Sequence, residues 1–300
     1  MLARPADMSP AITEHATFGE TSLERVREYW NRRPCNLRHS AAPVGTREYF
    51  EQVEARKYFV EAHIPGFAEF DRWAGKRVLE VGCGLGTDTM NFARAGAQVT
   101  AVDLSSASLA LARTRAEIFG LQDRITFVEA NAERLSEFVE PAHYDLVYSF
   151  GVIHHTPHPE RVLEQIRRFF TGPQTTLKMM VYYRWSWKVF AIVLQEAYGA
   201  FWRLDEVVAR NSEAQTGCPV TYTYTKTSLR QWLEATDFAV DDIFVDHIFP
   251  YRVADYVQYR YVKGFPFNMI PGPVMRALER RLGWHLCVTA HAVGSAPASR

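Results

Sequence analysis

At Val78-Leu79-Glu80-Val81-Gly82-Cys83-Gly84-Leu85-Gly86-Thr87-Asp88 an apolar strand runs into a turn with glycine at every second position. Glu80 sits at the end of the strand. Gly82, Gly84 and Gly86 remove every Cβ that would hold a ligand off the backbone where a following helix begins. The pattern is that of a nucleotide-cofactor loop. A dinucleotide fingerprint, G-x-G-x-x-G, requires glycine at position 87, and Thr87 stands there instead.

From residue 76 the chain alternates strand-like and helix-like segments: KRVLEVG, a helix near 87–95, AQVTAVDL, SASLALARTRAEIFG, RITFVEA, a short helix near 133–138, and YDLVYSF. This alternation predicts a doubly wound parallel sheet. A helix around 160–170 and a fifth strand at 175–183 follow. Upstream, Ser22 to Trp30 and Thr46 to Glu61 have helical character, with a Pro34/Pro43 loop between them. Residues 1–21 read as a loose tail, 22–75 as an N-terminal helical segment and 76–183 as the core. Residues 184–226, too apolar for a loop, read as a helical cap insertion. The 227–293 stretch supplies the rest of the sheet, with a second insertion at 250–282, and 294–300 forms a tail.

Lys plus Arg equals Asp plus Glu at 34 each, so no global field draws the chain toward nucleic acid. Cys35, Cys83, Cys218 and Cys287 lie far apart, without a C-x-x-C pair. They suggest buried thiols in a reducing compartment, with neither disulfide nor metal, and a cytoplasmic location.

Three further segments accompany the glycine loop. Asp103 closes the second strand about twenty residues on, where an adenosine ribose would present two hydroxyls to one carboxylate. Capping the next helix is the rival role for Asp103. Phe127-Val128-Glu129-Ala130-Asn131-Ala132-Glu133 and the stretch from Tyr144 through Ser149, Phe150, Gly151, His154 and His155 complete the set. In order and spacing these segments resemble the type 11 branch of class I S-adenosylmethionine (SAM) methyltransferases, which includes quinone-ring C-methyltransferases. The resemblance covers roughly residues 76–183. It implies a Rossmann-like, mostly parallel sheet of seven strands, with N-terminal helices and cap insertions added. It also implies SAM contacts at Glu80, Gly82, Gly84, Gly86, Asp103, Leu104, Asn131 and Ala132, with Ser149 and Phe150 near the methionine part. Asn131 replaces the more usual Asp, and a plain turn asparagine is the alternative.

Methyl transfer from a sulfonium is an in-line displacement that depends on alignment, dryness and removal of any acceptor proton. Histidine is the side chain suited to that proton near neutral pH. Phosphobase methyltransferases place a catalytic His after a similar strand end, which by resemblance corresponds to His155 here; His154 is its neighbour. Orientation of the loop by both rings is the competing reading. Tyr29, on a helix that in relatives often folds over the donor, is a latch or partner for His155, or else an amphipathic-helix residue packed on the core.

The added segments should carry specificity, because insertions at the carboxyl ends of parallel strands line the crevice. They are rich in rings, with Tyr182, Tyr183, Trp185 and Tyr222 the candidate substrate contacts, so a small apolar or aromatic acceptor is expected. Methylation on carbon or oxygen leads and on nitrogen follows. The same rings also suit a cap core or an oligomer interface, and the 185–202 stretch suits a membrane surface. The Arg32/Arg33/Arg38/His39 cluster reads as a solvated loop, with a clamp for a carboxylate or diphosphate as its alternative. An NAD(P)-dependent oxidoreductase and a non-catalytic binding or scaffold protein of the same fold remain as rivals.

Overall fold

A computed structural model describes residues 18–171, 174–215 and 218–293. Most of the 1–21 tail and the whole of 294–300 lie outside the described residues. Seven strands, β1 (Arg77–Val81), β2 (Gln98–Asp103), β3 (Ile125–Glu129), β4 (Leu146–Phe150), β5 (Thr176–Tyr182), β6 (Phe238–Asp246) and β7 (His285–Ala292), form one sheet in the order β3-β2-β1-β4-β5-β7-β6. The first five run parallel, and β7 lies antiparallel between β5 and β6. Strand β1 is buried at four of its five positions, as expected of a central parallel strand covered on both faces.

Alternation along the strands builds two cores. Leu79, Val81, Val147 and Val181 face one layer, and Val78, Val99, Tyr148 and Met180 face the other. Helices α4 (Thr87–Arg94), α5 (Ser106–Phe119), α6 (Pro159–Arg167) and α9 (Lys226–Ala235) follow the strands. Their starts carry local signals. Ser105 accepts from the Ser108 amide at the head of α5, and Thr225 with Ser228 forms a reciprocal capping box on α9.

The N-terminal segment supplies α1 (Leu23–Arg32), α2 (Arg47–Val60) and α3 (Ile64–Ala68). Helix α2 is bolted to the glycine loop. Arg115, fully buried, donates to Thr87 Oγ1 at 2.7 Å and to Glu54 Oε2 at 2.6 Å. Asp88 in turn accepts from Lys57 Nζ at 2.8 Å, Tyr58 Oη at 2.9 Å and Tyr148 Oη at 3.0 Å.

Within 184–226, helices α7 (Trp187–Ala197) and α8 (Leu204–Gln215) bury Val189, Val193, Leu204 and Val207 against the second core. The helical character ends there. Residues 220–224 run extended instead, because Tyr222 donates its amide to the His154 carbonyl (2.9 Å) and Tyr224 to that of Tyr182 (2.8 Å), threading the segment between two strand ends. Between β6 and β7 lie α10 (Val253–Tyr256) and α11 (Gly272–Leu282).

Candidate active site

A cavity of about 1360 Å³ opens above the carboxyl ends of the parallel strands. Val81 and Gly82 at the end of β1, Asp103 and Leu104 at the end of β2, Asn131 after β3, and Phe150 at the end of β4 line it, and the N-terminal helices roof it with Tyr29, Trp30 and Lys57. This is where open α/β sheets bind ligands.

The three glycines of the loop do different work. All have positive φ, +84° at Gly82, +54° at Gly84 and +70° at Gly86. A Cβ at Gly84 would meet nothing within 4 Å, so this backbone is the exposed cradle. A Cβ at Gly82 would lie 2.1 Å from Val152 Cγ2, and one at Gly86 3.2 Å from Ala112 Cβ. The expectation that all three open the backbone to a ligand is corrected here: Gly82 shares the wall, but packing demands glycine there, and Gly86 lies behind it where α5 approaches.

Asp103 holds the loop from below. Its Oδ2 accepts from the Gly84 amide at 2.7 Å and its Oδ1 from the Ser105 amide at 2.8 Å. Burial raises its pKa against these backbone bonds. Ser105, not Asp103, caps α5. Asn131 and Ala132 line the cavity, and Asn131 Oδ1 accepts from the Glu133 amide at 3.0 Å, so its oxygen also starts the short 3-10 helix at 132–137.

Glu80 and Ser149 are not on the wall. Alternation along β1 turns Glu80 to the same side as Val78, beneath α4, where it accepts from Thr89 Oγ1. Burial first, then the charge of Asp88, push its pKa up to about 8. Ser149 donates to the Val81 carbonyl at 3.0 Å and is fully buried.

Of the two histidines, only His155 lines the cavity. Its Nδ1 lies 2.8 Å from the Val220 carbonyl, which assigns the proton to Nδ1 and the lone pair to Nε2. His154 is fully buried between its neighbour and Tyr182, whose ring centroid is 3.9 Å away, and burial lowers its pKa well below the usual value. Among the described residues neither His154 nitrogen has a hydrogen-bond partner, so it packs as a ring. Trp30 on α1 stands edge-on to His155 at 5.4 Å, and Tyr29, one position earlier, lines the cavity.

Among the expected substrate contacts, Tyr182 lines the cavity, stacked at 4.0 Å on Trp284. Tyr183, Trp185 and Tyr222 do not. Trp185 is 53% exposed, and Tyr222 is buried in the core, edge-on to Phe18, with its hydroxyl on the Pro157 carbonyl. The rings that do face the cavity include Phe150, Trp187, Phe249, Tyr256 and Trp284. Arg32, Arg33, Arg38 and His39 also line it, so the cluster read as a solvated loop belongs to the cavity rim. Glu61, His247 and His285 converge at the same cavity with ligand atoms within 4.8 Å of one another. No local signal announces them, since Glu61 follows α2, His247 follows β6 and His285 opens β7.

Residues 78–171 match a family described as a methyltransferase domain. The fold, the loop and that match make this segment a class I SAM-dependent methyltransferase domain. A ubiquinone biosynthesis O-methyltransferase of Psychrobacter cryohalolentis is 31% identical over 138 residues, 46% of this chain and 52% of that protein. One of the same description from Nitrosococcus oceani is 39% identical over 90 residues, 30% of this chain and 37% of its own length. The chain thus spans between about a third and a half of the curated relatives it matches. In fold it is similar to the geranyl diphosphate C-methyltransferase of Streptomyces coelicolor A3(2), with TM-score 0.55, 15% identity, and 90% of this chain and 97% of that one covered. Among the described residues no helix is long and apolar enough to cross a membrane.

Proposed function

We propose that this protein moves a methyl group from SAM to an oxygen or carbon of a small apolar or planar acceptor. The carrying observation is one continuous cavity with a donor-like end and an acceptor-like end. At the first, the open Gly84 backbone, Asp103, Leu104, Asn131 and Ala132 suit an adenosine; at the other, Phe150, Tyr182, Trp187 and Trp284 suit a flat apolar guest. SAM fits these residues and, when bound, supplies an electrophilic methyl on a sulfonium.

His155 supports the oxygen or carbon reading. With Nδ1 given to Val220, its Nε2 is the basic nitrogen, suited to take the proton that an acceptor hydroxyl or activated carbon gives up. Trp30 packs edge-on against the ring from α1. The quinone O-methyltransferase relatives and the terpenoid C-methyltransferase fold point to acceptors of the same character. Cys83, Cys218 and Cys287, buried as thiols, suit a cytoplasmic setting, whereas Cys35 is exposed rather than buried as expected.

The test is release of S-adenosylhomocysteine from SAM in the presence of apolar phenols, enols and amines in parallel. Turnover led by phenols or enols supports the proposal. Turnover confined to amines contradicts it.

A further inference from the structure

Strands β6 and β7 end in a crossing that brings two histidines together. Gly283 makes the approach available, since a Cβ there would lie 2.1 Å from the Asp246 carbonyl oxygen. The Trp284 amide then donates to the His247 carbonyl at 2.7 Å, and the rings of His247 and His285 stand 4.6 Å apart. His247 holds φ +70°, a conformation that is costly without glycine and that the surrounding structure must impose. Glu61, just past the end of α2, completes the group, with its Oε1 3.6 Å from His285 Nε2.

The contacts around the His285 ring set which of its nitrogens faces the cavity. His285 Nδ1 lies 3.1 Å from His63 Nε2, so the nitrogen left for the cavity side is Nε2, the one that faces Glu61. Both rings are buried. Two imidazoles and a carboxylate thus converge from separate segments, their ligand atoms within 4.8 Å of one another. A separation of 3.6 Å is long for a hydrogen bond, yet two ligands about 2.1 Å from a tetrahedral ion stand about 3.4 Å apart.

We propose that Glu61, His247 and His285 form a binding site for one divalent transition-metal ion of the Zn²⁺ class, with His63 as the outer partner that orients His285. Two imidazoles and one carboxylate suit Zn²⁺ and its neighbours over the hard ions Mg²⁺ and Ca²⁺. All three residues line the cavity, so the ion keeps a position open to it, and the His285 ring stands 5.4 Å from that of Phe150. An acceptor oxygen taken as a further ligand there would be oriented and made more acidic. That role rests on the methyl-transfer reading, whereas the site itself does not.

The test uses the full chain, stripped with a chelator and titrated with Zn²⁺ alone by calorimetry and with Co²⁺ by visible absorption. The wild type is expected to take up one equivalent of Zn²⁺ and to give Co²⁺ bands of low coordination. Glu61→Gln and His247→Ala are expected to weaken Zn²⁺ binding by on the order of 100-fold, at least the loss that removing an outer partner brings. His291→Ala, at an exposed pair with Asp241, should bind as the wild type does. If His247→Ala loses its circular-dichroism spectrum, half-buried Glu61 decides through Glu61→Gln. Absence of a stoichiometric site in the wild type, or wild-type affinity in a folded triad variant, overturns the proposal. No SAM is present in this titration, so its failure leaves the methyl-transfer reading intact.

Discussion

Asp103 Oδ2 accepts the Gly84 amide at 2.7 Å, tying the end of the second strand to the one glycine of the loop whose Cβ position is open. The carboxylate that suits a ribose also holds the cradle in shape. Asp103→Ala should weaken SAM binding by about 1.5–3 kcal/mol, roughly 10- to 100-fold, while Asp103→Asn, which keeps one acceptor oxygen, should lose less. Calorimetric titration of both variants checks the order. Equal affinities for wild type and Asp103→Ala would remove the residue from the donor site.

Gly82 and Gly84 should respond to alanine in opposite ways. Gly82→Ala drives a methyl into Val152, and overpacking with a left-handed backbone should cost about 2–4 kcal/mol of stability. Gly84→Ala meets no atom, so it should cost only about 1 kcal/mol, yet its methyl occupies the open face of the cradle and should abolish most SAM affinity. Urea denaturation and SAM titration on the two variants separate the effects. A Gly84→Ala protein that binds SAM normally would show that the cofactor lies elsewhere.

His155→Ala should lower kcat by roughly 100-fold or more, with SAM affinity changed little. His155→Gln, which can still donate toward the Val220 carbonyl but carries no base, should lower kcat to a similar extent. Turnover retained in the glutamine variant would assign the ring to loop orientation alone.

Glu80 gives a pH signature. Burial and Asp88 raise its pKa from 4.5 to about 8, so the folded protein keeps a proton that the unfolded chain releases. The stabilisation is full below pH 4.5 and falls as pH rises toward 8. Glu80→Gln should therefore gain stability relative to wild type across that window, read as a rising difference in urea midpoints. A difference that stays flat with pH would place the proton elsewhere.

The first five strands were legible because β1 to β5 are short, mostly apolar runs alternating with longer helical segments and separated by glycine and polar turns. The cavity residues Gly82, Gly84, Asp103, Leu104, Asn131, Ala132, Phe150 and His155 were legible for a related reason, since strand ends fix their position in the chain. Glu80 and Ser149 were misplaced by the same logic. Motif spacing gives the residue's distance along the strand, but not which face it takes or whether a Thr89 or Val81 partner waits behind the wall. The acceptor side was least visible. Trp185 and Tyr182 belong to one aromatic run, and only packing against Trp284 sorts the ring that faces the cavity from the one that faces water. The convergence of Glu61 with His247 and His285 depends on tertiary contact between distant segments.

The most direct test of the central claim is calorimetric titration of the full chain with SAM and, separately, with NADPH. The account predicts saturable, one-to-one binding of SAM that is weakened by Asp103→Ala, and no binding of NADPH. Saturable NADPH binding without SAM binding would contradict it.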